Sequence, residues 1–123
     1  MLQDRATSIE NHKRFVCRVL AAGEVWGLQS DDGWAVCDSN EFDDRRVMPF
    51  LSDRAYAGRA AKEEWAGYEP ARIAISDFID RWLKGMHDDG VLVGTNWDAN
   101  NCGLEVDAID LAQELDAGLQ ASS

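Results

Sequence analysis

Two histidines, three cysteines and several runs of aspartate are the side chains of this 123-residue sequence most able to do chemistry. The segment Asp98-Ala99-Asn100-Asn101-Cys102-Gly103 begins like a calcium loop, with oxygen ligands at positions one and three and glycine at six. Position five is Cys102 and position twelve is Ile109, where an oxygen and a bidentate glutamate are needed. The segment therefore reads as a surface turn. His87 with Asp88 and Asp89 offers two or three ligands, but the same trio is a common helix end, with histidine near the negative pole of the helix dipole. His12 and His87 are the only histidines. No ligand spacing of a transition-metal site is present, so neither a metal nor a cofactor is expected.

Cys102 with His87 would make a nucleophile and a base. No elbow motif surrounds Cys102, and its carboxylate-rich neighbourhood disfavours a thiolate. There is no G-x-x-x-x-G-K-[ST] and no G-x-G-x-x-G, so no phosphate-cradling loop is legible. No catalytic residue is assigned.

Trp97 lies in the Asn-rich loop, outside any apolar pattern. An exposed Trp97 beside Asp98 would make a binding anchor, since tryptophan buries much area at little entropic cost. Large aromatics rarely stay fully exposed, which favours a Trp97 folded over the core. Trp26 and Trp34 flank a hairpin and face either each other or opposite sides.

Charge narrows the function classes. Twelve basic residues stand against 23 acidic ones, for a net charge of −11. That balance repels nucleic acid and anionic membrane, which bind proteins mainly through Lys and Arg, and it steers a basic partner. It also serves solubility alone. From Asp98 to the end there are six acidic side chains and no Lys or Arg. No apolar run is long enough to span a bilayer, and no signal-peptide pattern is legible, so a cytoplasmic location is expected. Three scattered cysteines without C-x-x-C spacing agree with a reducing compartment.

These residues need elements to position them. Residues 8–22 read as a helix, with Thr7 and Glu10 as a capping box, Gly23 as the stop, and Ile9, Phe15, Val16, Val19 and Leu20 on one face with His12 at its edge. EVWGLQ alternates as a strand, Ser30-Asp31-Asp32-Gly33 is a turn, and WAVC returns as the paired strand. Val47–Phe50 is a strand with Pro49 at an edge or strand end. Ser52 caps a helix over 53–66 that is rich in small residues. Ala71–Ile75 is a strand. Ser76 caps a helix whose stripe is Phe78, Ile79, Trp82, Leu83 and Met86. Val91–Val93 and Leu104–Val106 are strands. Asp107 caps a last helix with Ile109, Leu111, Ala112 and Leu115 inward, Asp110 and Glu114 outward, and a tail that frays after Gly118. The expectation is one α+β domain over 1–123, with its core over 8–117: a mainly antiparallel sheet of about four to five strands, with helices packed on it as a single layer pair.

EVWGLQSDDGWAV, PFLSDRAYA, EWAGYEPARIAISDFIDRWL and GVLVGTNWD together resemble the bacterial family called domain of unknown function 2750, over roughly residues 8–117. The marks are V-W-G-L, P-F-x-x-D-x-x-Y-A, Y-x-P and F-x-x-x-W-L. The family pattern implies a Trp beside the Pro-Phe pair, where Leu51 stands here. The resemblance implies a bacterial source and carries no activity.

Two function classes follow. One is an acidic protein-binding module, immunity-like or antitoxin-like, that meets a basic partner protein through Asp107, Asp110 and Glu114. The other is a small-molecule-binding domain or small enzyme with a pocket near Trp97, Asp98, Asn100 and Tyr56.

Overall fold

The computed structural model describes residues 5–39, 42–61, 65–97 and 103–121. In chain order the elements are α1 (Arg5–Ala22), β1 (Glu24–Ser30), β2 (Gly33–Trp34), β3 (Cys37–Asp38), β4 (Arg46–Phe50), α2 (Arg54–Ala60) and β5 (Glu69–Ala74). A continuous helix, α3, then runs from Ile75–Asp77 through Phe78–Leu83 to Lys84–Asp89, followed by β6 (Leu92–Thr95), β7 (Leu104–Val106) and α4 (Ala108–Ala121). The fold is α+β, as expected. The sheet is not. Among the described residues the strands form a three-stranded sheet, β2-β1-β5, and a four-stranded sheet, β3-β4-β6-β7, in place of one sheet of four to five. The pairings are antiparallel except β4 with β6, which is parallel.

The split happens inside WAVC. Gly33 and Trp34 pair with Ser30 and Gln29 of β1, and the Ala35 amide still donates to the Leu28 carbonyl at 2.9 Å. Further back along that edge of β1, Trp26 exchanges two hydrogen bonds with Leu51, of 2.9 and 2.8 Å. A strand edge accepts one partner per position, so the returning chain leaves β1 after Ala35. Cys37 and Asp38 then pair with Val47 and Arg46 of β4. Gly27 lets this corner close, because a Cβ there would lie 2.8 Å from the Trp34 ring. Trp26 and Trp34 consequently face different clusters.

The main core gathers Phe15 and Val19 of α1, Val25 of β1, Phe50 of β4, Phe78 and Leu83 of α3, Val93 of β6 and Leu111 and Leu115 of α4. Phe50 meets Phe78 edge-on at 4.9 Å between ring centres, and Trp34 meets Trp82 the same way at 4.5 Å. Phe78 and Leu83 are both fully buried although an α-helix would set positions five apart about 140° from each other. The π-helical turn over Phe78–Leu83 brings them nearer to one face. A smaller cluster beneath α2 holds Leu28, Ala35, Leu51, Ala57 and Trp65.

Several expected helix ends shift. Helix α1 includes Thr7, which does not cap it. Ser52 is buried and already committed: its amide donates to Asn96 Oδ1 at 2.8 Å and its Oγ accepts from Asn96 Nδ2 at 3.0 Å. Asp53 caps α2 instead, its Oδ1 accepting from the Tyr56 amide at 3.0 Å, and α2 closes at Ala61. Ser76 lies within α3, whose leading amide, that of Ile75, is satisfied by the Gly23 carbonyl at 3.0 Å. Helix α4 runs on past Gly118 to Ala121, and a side chain at Gly118 would collide with Leu20 of α1. Ile109 is exposed, whereas Ala108, Leu111 and Leu115 face inward.

Candidate functional site

Helices α1 and α4 lie against each other, with β7 beneath their seam. Along that seam runs a groove of about 320 Å³, bounded by Arg5 and His12, by Leu104–Val106, and by Asp107, Asp110, Leu111 and Glu114. It brings together three of the expected binding residues. Asp107 is the cap of α4, with Oδ1 accepting from the Ile109 amide at 2.9 Å and standing 3.5 Å from His87 Nδ1. Asp110 and Glu114 follow on the exposed side of the same helix. Carboxylates at the cap and in the first turn suit the positive pole of the helix dipole, so the sequence can hold Asp107 and Asp110 there without an ion pair for each.

His12 borders the groove from α1. Its side chain is only 12% exposed; Nε2 meets Glu114 Oε1 at 2.9 Å and Nδ1 meets Thr95 Oγ1 at 2.9 Å. A neutral ring satisfies both contacts as the Nε2–H tautomer, with the Thr95 hydroxyl donating to Nδ1. Hydroxyl, imidazole and carboxylate in a row have the composition of a nucleophilic relay. The geometry does not serve that chemistry: Thr95 is fully buried and both ring nitrogens are engaged. What the relay does is tie α1 to β6 and α4. Sequence reasoning placed His12 at the edge of its helix stripe and missed Thr95 altogether. Nothing local marks a pairing across 83 positions.

The other expected site residues stand elsewhere. Side chains alternate along β6, so Val93 and Thr95 face the helices while Leu92 and Gly94 face away. Trp97 covers that second face, packed with Val47 and Leu92 and 7% exposed. Its Nε1 donates to the Leu104 carbonyl at 3.0 Å, and a Cβ at either Gly94 or Gly103 would collide with the indole. Trp97 is thus an internal plug and not an exposed anchor. Asp98, Asn100 and Cys102 lie outside the described residues. Tyr56 packs against the cluster beneath α2, not with Val47 and Leu92, and its ring is flanked by the guanidinium groups of Arg18 at 5.5 Å and Arg59 at 4.7 Å.

A second hollow, of about 600 Å³, lies between the β1–β2 turn and the start of β5, beside Asp31, Asp32 and Glu69. It is larger and holds none of the expected site residues. Among the described residues no group of three or more His, Cys, Asp or Glu is arranged to hold a metal ion, and no helix is long and apolar enough to cross a membrane.

Compared with known proteins, residues 12–115 match the family model described as Protein of unknown function (DUF2750). No curated protein and no solved structure matches the chain.

Proposed function

This chain belongs to the DUF2750 family, and since that description names no activity, we propose from the chain's own surface that it is a protein-binding module for a basic partner protein. The observation that carries the reading is the groove between α1, β7 and α4, with Asp107, Asp110 and Glu114 along one wall. The surrounding sequence reinforces it: from Gly85 to Ser123 there are eight carboxylate side chains and no Lys or Arg. A one-signed surface of this kind steers an oppositely charged partner and speeds its association. An immunity-like or antitoxin-like role in a bacterial cytoplasm, blocking a basic protein, is the specific form of the proposal. A pocket for a small molecule near Trp97 has less support, because the indole fills the space that a ligand would need.

The test is an affinity pull-down of the tagged full chain from lysate of its own source, at low and moderate salt, beside the variant Asp107→Asn/Asp110→Asn/Glu114→Gln. Asparagine caps a helix as well as aspartate does, so the variant removes charge and keeps the fold. A basic partner lost both with salt and with the variant supports the reading. Binding indifferent to both sinks it.

A further inference from the structure

The acidic wall is only half of the groove. Its floor is apolar: Leu104 and Val106 of β7 are half-buried, and Leu111 of α4 is buried beneath them. Asp110 stands over this floor with no ion-pair partner among the described residues, and Glu114 keeps nearly half of its side chain exposed while bonded to His12. Carboxylates alone would suit any cation. Carboxylates above an apolar floor suit a cation on a long hydrocarbon stem, because arginine and lysine bury their methylenes along apolar surface and keep the charged head outside. A volume of about 320 Å³ gives room for one such side chain and not for a folded element.

We propose that the groove is a slot for a single arginine or lysine side chain of a basic partner protein, its stem on Leu104 and Val106 and its head between Asp110 and Glu114. This rests on the binding-module reading above and narrows it. Charge complementarity selects the partner, and the floor selects the side chain.

The experiment titrates the ¹⁵N-labelled full chain at low salt with two trications. One is a short peptide of three arginines alternating with glycine, acetylated and amidated at its ends; the other is hexaamminecobalt(III), which carries the same charge and no stem. The slot requires amide shifts centred on Leu104, Val106, Asp110 and Leu111, and tighter binding of the peptide by about tenfold, the effect of roughly two buried methylenes. Asp110→Asn and Glu114→Gln each weaken the peptide; both sites are exposed, and Gln retains the hydrogen bond from His12, so neither change removes the fold. Equal affinity for the two cations, with shifts spread along the acidic surface, overturns the slot and leaves the binding module standing. No shift from either cation, together with an empty low-salt pull-down, overturns both.

Discussion

Helix α1 has two working flanks, and they treat charge differently. Positions 12 and 18 are separated by about 120° around a helix, so His12 and Arg18 serve separate neighbours. On the Arg18 flank the account closes internally. Arg18 Nη1 donates to Asp53 Oδ2 at 2.8 Å, Asp53 also caps α2, and Arg18 and Arg59 both stack on Tyr56. On the His12 flank that histidine engages one carboxylate and one buried hydroxyl, and Asp110 and Asp116 of α4 are exposed. The lesson is that a net charge of −11 does not by itself locate a surface. Carboxylates are unevenly placed: Arg18 meets Asp53 on one flank, whereas Asp110 on the other has no ion-pair partner among the described residues.

Four experiments press on this contrast, from the largest expected effect to the smallest. His12→Ala removes the tie among α1, β6 and α4 and leaves the Thr95 hydroxyl buried without a partner; urea denaturation is expected to show a loss of about 2–3 kcal/mol. A loss below about 0.5 kcal/mol, the size of an ordinary surface change, would mean that the relay is not what holds that flank together. Asp53→Ala takes away the cap of α2 and is expected to cost about 1 kcal/mol, with Asp53→Asn restoring most of it. An Asn variant as unstable as the Ala one would assign Asp53 to its ion pair and not to its cap. A double-mutant cycle between Arg18 and Asp53 should return a coupling of only about 0.5 kcal/mol that fades in high salt, because the two side chains are 50% and 35% exposed. Finally, Asp110→Asn should leave the unfolding midpoint nearly unchanged while slowing association with the arginine peptide. If it shifted stability as much as Asp53→Ala does, the two flanks would not differ as described.

The elements themselves were largely legible. Apolar spacing marks α1, α3 and α4; Asp-Asp-Gly marks the β1–β2 turn; Asp107 marks the last helix start; and Gly90 ends α3 in the left-handed conformation, with φ of 73°. Ser52 and Asp53 show where local reading stops. Both residue types cap helices, and only the hydrogen bonds exchanged between Ser52 and Asn96, 44 positions away, decide which one is free to do so. WAVC fails for a related reason: a period of two is the same whether four residues keep one partner or change sheets midway. The carboxylates of the groove were readable because they sit on one helix at helical spacing. Its floor and its histidine were not, since they come from elements brought together only by the fold.

The parallel pairing of β4 with β6 constrains the order of events as the chain is made. Val47 and Leu92 are partners in register, yet α2, β5 and α3 lie between them in sequence. While the chain emerges from the ribosome, β4 can take up its antiparallel partner β3 at once, but its other edge stays open until Leu92–Thr95 follows. During that interval the first sheet, with β1 and β5 joined over six residue pairs, is already complete. Because β6 and β7 follow β5 in the chain, the four-stranded sheet, and the groove at its β7 edge, can close during synthesis only after the three-stranded sheet has all of its strands.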